Sequence, residues 1–127
     1  MTDIFPKGYI GAEFKGKLID NTDPLNPVTL DLTGNSGVYI LFYKPDGTVF
    51  PTQAEIDGNL NDNTSVPAAY RADLETPGTP ADSNIRVRNF SAPSLLDQYG
   101  KWEYVPAARF QNGNFILSHV RKVFWVE

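Results

Sequence analysis

The chain has 127 residues, of which 41% are hydrophobic and 13% aromatic, a composition typical of one globular domain with a single core. Cysteine is absent, which excludes disulfides, thiolate metal sites and cysteine catalysis. A formal net charge of −4 and an isoelectric point near 4.9 argue against a nucleic-acid partner. The sequence has no long apolar run, so we expect neither a secretory signal nor a membrane span.

The first elements in chain order are an arm, a strand and a polar loop. Residues 1–8 are predicted as an N-terminal arm, and residues 9–18 alternate in the way of a half-buried strand with Ala12 and Phe14 on its inner face. Residues 20–27 contain two X-Pro pairs and are predicted as a loop. A short strand at residues 28–32 follows the loop.

The centre of the chain predicts a β-hairpin. Residues 38–44 are rich in β-branched and aromatic side chains, and Pro45-Asp46-Gly47 follows them directly. Proline presets φ for a tight turn, and Gly47 is free to take a positive φ. Because Val49 and Phe50 begin a return strand, residues 38–52 are predicted as a hairpin.

The next part of the chain alternates loops with short strands. Residues 58–65 and 76–83 are the predicted long polar loops, and residues 68–74 and 84–90 are the predicted strands. Residues 91–100 carry a serine cap, an early proline and a terminal glycine, which favours one helical turn there. No other helix is expected.

The C-terminal part predicts a second hairpin. Residues 101–107 alternate, Asn112-Gly113 supplies a turn, and residues 115–126 are predicted as one long returning strand that brings Phe115 and Phe124 to the core. In total, about seven to eight short strands separated by turns are typical of an immunoglobulin-like sandwich. We therefore expect residues 1–127 to form a single all-β domain, an immunoglobulin-like antiparallel β-sandwich.

No residue pattern predicts catalysis, metal binding or a cofactor. His119 is the only histidine, and its neighbour Ser118 points to the opposite face of the predicted strand, so the two cannot form a Ser-His pair. The oxygen-bearing residues from Asp57 to Asp62 resemble a calcium loop, but Asp62 replaces its sixth-position glycine and Ala68 its final glutamate. We expect a solvated loop and a protein without enzymatic activity.

Aromatic residues give two alternative predictions. They either build a flat platform for sugar stacking or mostly fill the core. The rings concerned are Tyr39, Tyr43, Tyr99, Trp102, Tyr104 and Trp125. Trp125 is out of phase with Phe124 and Val126 and is predicted on the outer face, where it is a candidate contact for a neighbouring subunit. Arg121 and His119, in the same predicted strand, complete the candidate interface.

Charge is distributed unevenly along the chain. Residues 1–82 carry twelve acidic and five basic side chains, whereas residues 83–127 carry three acidic and six basic ones. If the two parts present different surfaces, the asymmetry suits head-to-tail packing in an assembly. Alternatively, the interleaving of strands in a sandwich averages the asymmetry out.

Several motifs over residues 9–127 resemble immunoglobulin-like accessory domains of tailed bacteriophages, and most closely the N-terminal domain of phage baseplate upper proteins. The motifs are Gly11-Ala-Glu-Phe, Leu30-Asp-Leu-Thr-Gly, Lys44-Pro-Asp-Gly-Thr, Leu95-x4-Gly-x-Trp and the final strand from Ser118 to Val126. The resemblance implies a structural protein of the virion, assembled in the host cytoplasm. It also implies that several copies bind other virion proteins in a symmetric assembly.

This resemblance leaves the position in the particle open. A baseplate, neck or tail-fibre attachment adaptor and a head decoration subunit are all consistent with it. In each case we expect residues 20–27, 58–65 and 76–83 to order against partners, with neither nucleic acid nor membrane as a partner. The alternative function is a carbohydrate-binding module for host surface glycan, because such modules are also β-sandwiches.

Overall fold

The computed structural model describes residues 3–20, 22–58, 65–118 and 120–127, and in these ranges it contains eleven strands and two short helical segments. The strands in chain order are β1 (Asp3–Phe5), β2 (Ala12–Gly16), β3 (Ile19–Asp20), β4 (Val28–Thr29), β5 (Asn35–Tyr43), β6 (Val49–Phe50), β7 (Ala72–Leu74), β8 (Ile85–Asn89), β9 (Gly100–Phe110), β10 (Phe115–Leu117) and β11 (Lys122–Val126). The helical segments are α1 (Gln53–Gly58) and a 3-10 turn at Ala68–Tyr70. The predicted all-β class is confirmed.

Two sheets pack into a sandwich with immunoglobulin-like strand order. The larger sheet has the order β1-β11-β9-β5-β6, with β10 also pairing with β9, and the smaller sheet has the order β2-β8-β7. In an immunoglobulin-like sandwich, strands B, E and D share one sheet and strands G, F and C share the other. Here β2, β8 and β7 take the places of B, E and D, and β11, β9 and β5 take the places of G, F and C. Strand β6 is the added strand beside C. The predicted fold is confirmed.

One edge of the larger sheet departs from the antiparallel pattern. Part of the predicted N-terminal arm forms β1, which pairs with β11 in parallel, with Ile4 opposite Trp125. Both strands run toward the end of the sandwich where residues 6–11 cross to the smaller sheet, and the Phe5 ring packs against Phe14 and Phe124. The expectation of a purely antiparallel sandwich is therefore wrong at this edge.

Aromatic side chains fill the space between the two sheets. The Phe14 ring of β2 lies 5.1 Å from the Phe42 ring of β5 and 4.9 Å from the Phe124 ring of β11, measured between centroids. Trp102 of β9 is fully buried and stacks on Phe124 at 5.5 Å. Antibody domains join their sheets with a disulfide. In this cysteine-free chain, the ring cluster joins them.

The helix lies in a different place from the predicted one. Residues 91–100 form bends rather than a helical turn, because the Asn89 side chain bonds to the carbonyls of Ser91 and Pro93 and accepts the Leu95 N–H. Helix α1 instead begins after Thr52, whose hydroxyl accepts the Glu55 N–H while the Glu55 carboxylate accepts the Thr52 N–H. This reciprocal capping box was readable in the sequence as Thr-x-x-Glu.

The predicted hairpins are confirmed, but four predicted strands are shorter than expected or divided. The strand predicted at residues 9–18 is reduced to β2, and the one at residues 28–32 is reduced to β4. The central turn closes through Lys44 N–H to Thr48 C=O at 2.8 Å, with Gly47 at φ 89°. Residues 68–70 form the 3-10 turn, so the strand predicted at 68–74 is reduced to β7. The long strand predicted at 115–126 is divided into β10 and β11, and between them the Ser118 hydroxyl accepts the Val120 N–H.

The two ends of the sandwich carry different connections. At the start of β9, Gly100 pairs with Val126 and lies against Pro45 of the central turn. At the end of β9, Phe110 pairs with Asn35, and the Asn35 N–H donates to the Leu32 carbonyl. The pair β3–β4 therefore lies at the Phe110 end. The eleven residues of β9 separate this end from the Gly100 end by roughly 30 Å at about 3.3 Å per residue.

Candidate functional site

The outer face of the larger sheet carries an exposed tryptophan near the Gly100 end. Strand β11 alternates, so Phe124 and Val126 point into the core while Trp125 is 40% exposed on the opposite face. Trp125 pairs with Ile4 of β1 on one side and with Lys101 of β9 on the other. These three side chains form a row across neighbouring strands. The prediction that Trp125 lies on the outer face is confirmed.

Arg121 precedes β11 and lies on the same face as Trp125. Its guanidinium carbon is 3.8 Å from the centroid of the Tyr43 ring, and its Nη1 is 3.1 Å from a carboxylate oxygen of Glu103. Glu103 also lies 3.7 Å from the ammonium of Lys101. One carboxylate is thus shared by two cations, which leaves this part of the face with a net positive charge.

We call this surface the outer patch and define it as Ile4, Tyr43, Lys101, Glu103, Arg121 and Trp125. An open groove with a volume of about 490 Å³ runs along it beside the central turn. The residues lining the groove are Tyr43, Lys44, Pro45, Gly47, Lys101, Glu103 and Arg121. Because the walls are formed by strands and a tight turn, the groove is held by backbone pairing.

Lys44 is buried next to the groove and forms an ion pair with the half-exposed Asp97. Its side chain is 5% exposed, its Nζ is 3.0 Å from the Asp97 carboxylate, and the rings of Phe50, Tyr70 and Trp102 lie 4.4 to 5.5 Å from it. Burial alone lowers the pKa of Lys44, but hydrogen bonds to Tyr70 and Asp97 outweigh it, and the pKa is raised above its ordinary value. This ammonium is therefore charged and already paired within the chain.

The predicted sugar-stacking rings are divided between core and surface. Trp102 and Tyr39 are buried, and Tyr104 packs against Phe14 at 5.3 Å. Tyr99 is 65% exposed, with the Lys7 ammonium 4.9 Å from its ring centroid. Two of the six rings are buried, two are partly buried and two are exposed, so the prediction that most of them fill the core is only partly confirmed. Six rings do not form one platform.

The remaining candidates from the sequence give no chemical site. His119 lies outside the described residues, as do the members of the calcium-like loop from residue 59 to residue 62. Asp57 bonds to the Arg109 guanidinium at 3.2 Å. Among the described side chains, no three His, Cys, Asp or Glu residues converge as a metal site would require. The same ranges hold no helix with the length and apolar character of a bilayer span.

Strand pairing cancels part of the charge asymmetry of the sequence. In the smaller sheet, Arg86 and Arg88 from the second part of the chain bond to Asp73 from the first part. With the neighbouring ion pairs of Lys15 to Glu13 and Glu75, this group has three acidic and three basic side chains. Lys101 and Arg121 share Glu103 and retain net positive charge on the outer patch. Averaging therefore holds for the smaller sheet and fails for the outer patch.

Register brings together residues that sequence reasoning missed. The alternation of residues 101–107 showed that Lys101 and Glu103 share a face, but it did not show that Lys101 lies opposite Trp125. Ile4 was missed because no local pattern announces a parallel pairing of the first strand with the last. In comparisons with known proteins, the chain matches no protein-family model, no curated protein and no solved structure.

Proposed function

We propose that this protein is a non-enzymatic structural protein of a tailed-phage virion that binds other virion proteins through its outer patch. The observation that carries the binding role is the exposed row of Ile4, Trp125 and Lys101 on paired strands. Tryptophan and arginine are enriched at the residues that dominate binding energy in protein interfaces. The assignment to a virion rests on the motifs over residues 9–127.

The mechanism is the presentation of a preformed surface. Trp125 is fixed by strand pairing on both sides, and stacking on Tyr43 holds Arg121 in place. Binding of a partner then costs little backbone entropy at Trp125 and little side-chain entropy at Arg121. In a symmetric particle, many modest contacts of this kind add up to firm attachment. A baseplate, neck or tail-fibre adaptor and a head decoration subunit all use this property.

The test of the virion assignment is mass spectrometry and cryo-electron microscopy of purified particles of the phage that encodes the chain. We expect the protein in stoichiometric amounts and density that fits one small sandwich on the head, the neck or the tail. Complete particles that lack the protein would overturn the assignment.

The test of the outer patch is a binding comparison with the particle. Trp125→Ala is expected to reduce incorporation at least about tenfold, as removal of a central interface tryptophan does. Ile116→Ala is the matched control, because Ile116 is 39% exposed and lies on β10, away from the patch. Equal incorporation of both variants would contradict the assignment of the patch.

A carbohydrate-binding module is the second candidate function, and the exposed rings of Tyr99 and Trp125 favour it. Glycan arrays with the wild type, Trp125→Ala and Tyr99→Ala test it. Glycan binding that the ring substitutions abolish would support this function and argue against the adaptor role. Trp102→Ala is not a binding test, because Trp102 is fully buried.

A further inference from the structure

A short acidic hairpin projects from the Phe110 end of the sandwich. Among the described strands, β3 and β4 pair with each other and with no third strand, and their register places Ile19 and Val28 on opposite faces of the ribbon. Both side chains are more than half exposed, and Leu25 at the tip is 89% exposed. A two-stranded ribbon that leaves an apolar side chain exposed on each face is marginally stable in water and gains from docking. We call residues 19–20 and 22–32 the acidic hairpin.

Aspartates fix the shape of the acidic hairpin. Asp20 accepts the Thr22 N–H at 2.9 Å, and Asp23 accepts the Leu25 N–H at 3.1 Å. Asp31 accepts the N–H groups of Thr33 and Ala81 at 3.0 and 2.9 Å, which attaches the base of the hairpin to the body. Leu25 is therefore held at the tip by defined turns.

The acidic hairpin also carries uncompensated charge. Residues 18–43 contain Asp20, Asp23 and Asp31 but no lysine or arginine. Hydrogen bonds from Thr22 to Asp20 and from Thr33 to Asp31 hold the pKa of each carboxyl below its usual range, so both are ionised at neutral pH. The hairpin thus combines negative charge with an exposed leucine.

The outer patch offers the complementary chemistry. It combines the Trp125 ring with the ammonium of Lys101 and the guanidinium of Arg121, both about half exposed. The groove of about 490 Å³ beside it has room for an aliphatic side chain. An apolar tip flanked by carboxylates complements a ring flanked by cations in apolar character and in charge.

The two surfaces cannot meet within one molecule. The outer patch lies at the Gly100 end and the acidic hairpin at the Phe110 end of β9, roughly 30 Å apart. Each molecule can therefore offer its outer patch to one neighbouring copy and its acidic hairpin to another.

We propose that the acidic hairpin of one copy docks on the outer patch of the next copy. Leu25 packs against the exposed Trp125 ring, next to Lys101 at the edge of the groove, and Asp20 and Asp23 face Lys101 and Arg121. This contact is heterologous, so repetition builds a ring or a filament rather than a closed dimer. The proposal rests on the proposed function and deepens it: the virion protein that the outer patch binds is another copy of this chain.

Sedimentation velocity on the purified protein tests the contact. We expect the average mass to rise above the 14.1 kDa monomer with increasing concentration and to fall again as salt is added. Trp125→Ala and Leu25→Ser, each folded by circular dichroism, are each expected to stay monomeric. Ile116→Ser is the matched control and should associate like the wild type.

Mixing the two monomeric variants gives the decisive result. The Trp125→Ala copy keeps an intact hairpin and the Leu25→Ser copy an intact patch, so the mixture should form a one-to-one dimer and nothing larger. If Leu25→Ser still associates, the patch binds itself and the proposal is wrong. A wild type that stays monomeric at every concentration and salt level also overturns it.

A charge variant separates the contact from simple hydrophobic association. Lys101→Glu should weaken association at low salt by about tenfold or more, and the difference from wild type should shrink at high salt. An unchanged dissociation constant would contradict the proposal. Because these experiments use the isolated protein, their failure is distinguishable from absence of the protein in virions.

Discussion

The two tryptophans lie on neighbouring strands and have opposite surroundings. Trp102 of β9 is fully buried, stacks on Phe124 and donates its indole N–H to the Gln98 carbonyl at 3.0 Å. Trp125 of β11 is 40% exposed and pairs with Lys101, the residue just before Trp102. Trp102 lies opposite Phe124, and Trp125 is the next residue after Phe124 on the same strand. Because side chains alternate along a strand, this step of one residue turns Trp125 away from the core that holds Trp102.

The same contrast holds for two cations that contact aromatic rings. Lys44 is 5% exposed among three rings and bonds to Asp97, whereas Arg121 is 49% exposed over the single ring of Tyr43. On the core side, charge and ring are desolvated, so their loss is expensive. On the outer patch, water can solvate the groups that a substitution leaves without a partner, so the loss of stability is smaller. Stability and binding should therefore respond to different substitutions.

The largest expected effect is on the core tryptophan. Trp102→Ala should lower the free energy of unfolding by about 3–5 kcal/mol, because it leaves a cavity against Phe124 and an unpaired Gln98 carbonyl. Trp125→Ala should lower it by less than about 1 kcal/mol. Urea unfolding followed by circular dichroism measures both values.

Trp102→Phe keeps the comparison testable if the alanine variant does not fold. Phenylalanine retains a ring against Phe124 but loses the hydrogen bond to Gln98, so about 1–3 kcal/mol should be lost. Similar losses for Trp102→Phe and Trp125→Ala would show that the outer ring is part of the core.

The second prediction concerns the ion pair between the buried Lys44 and the half-exposed Asp97. Asp97→Asn should cost about 1–2 kcal/mol, because it leaves the Lys44 ammonium without its carboxylate in a desolvated position. Asp73→Asn is the matched control, since both aspartate side chains are 53% exposed but the partner Arg86 is 19% exposed. The control should cost about 0.5 kcal/mol. A control loss as large as that of Asp97→Asn would refute the role assigned to burial.

The sequence predicted this contrast only where local patterns are sufficient. Alternation along residues 122–126 placed Trp125 outside and Phe124 inside, because side chains on a strand have a period of two. The Lys-Pro-Asp-Gly turn was equally local and was predicted correctly. The sandwich itself followed from the number and spacing of such segments.

The parts that the sequence did not predict depend on long-range pairing. The parallel contact of Ile4 with Trp125 joins residues from the two ends of the chain, and no window of neighbours contains both. The ion pair of Lys44 and Asp97 spans fifty-three residues. The misplaced helix has a local cause, since the Asn89 amide competed for backbone groups that a helical turn would use. The sequence therefore predicted Trp125 and Arg121 as interface residues, but it did not predict that Ile4 and Lys101 lie beside Trp125.

The third prediction is an alkaline loss of stability on the core side. Burial raises the pKa of Tyr70 and of Tyr104, and the pKa of Lys44 is raised by its hydrogen bonds against the effect of burial. A group with a raised folded-state pKa stabilises fully below its unfolded pKa, near 10 for tyrosine, and loses that contribution as pH rises through the folded value. The free energy of unfolding should therefore fall above about pH 10.

Tyr70→Phe isolates this effect. The substitution removes one of the groups whose pKa is raised in the folded state. The fall in the free energy of unfolding between about pH 10 and pH 11 should therefore be shallower than in the wild type. Urea titrations across this range measure the slope. A slope that steepens after the substitution would show that other groups control the alkaline transition.

The smallest expected effect is at Arg121. Its ring contact and its ion pair with Glu103 are both half exposed, and exposed interactions of either kind contribute about 0.5–1 kcal/mol or less. Arg121→Ala should therefore lower the free energy of unfolding by about 0.5 kcal/mol, by the same urea measurement. Self-association at low salt, measured by sedimentation velocity, should weaken far more. If Arg121→Ala instead cost as much stability as Asp97→Asn, the outer patch would be a structural part of the sandwich, and the separation between its two faces would fail.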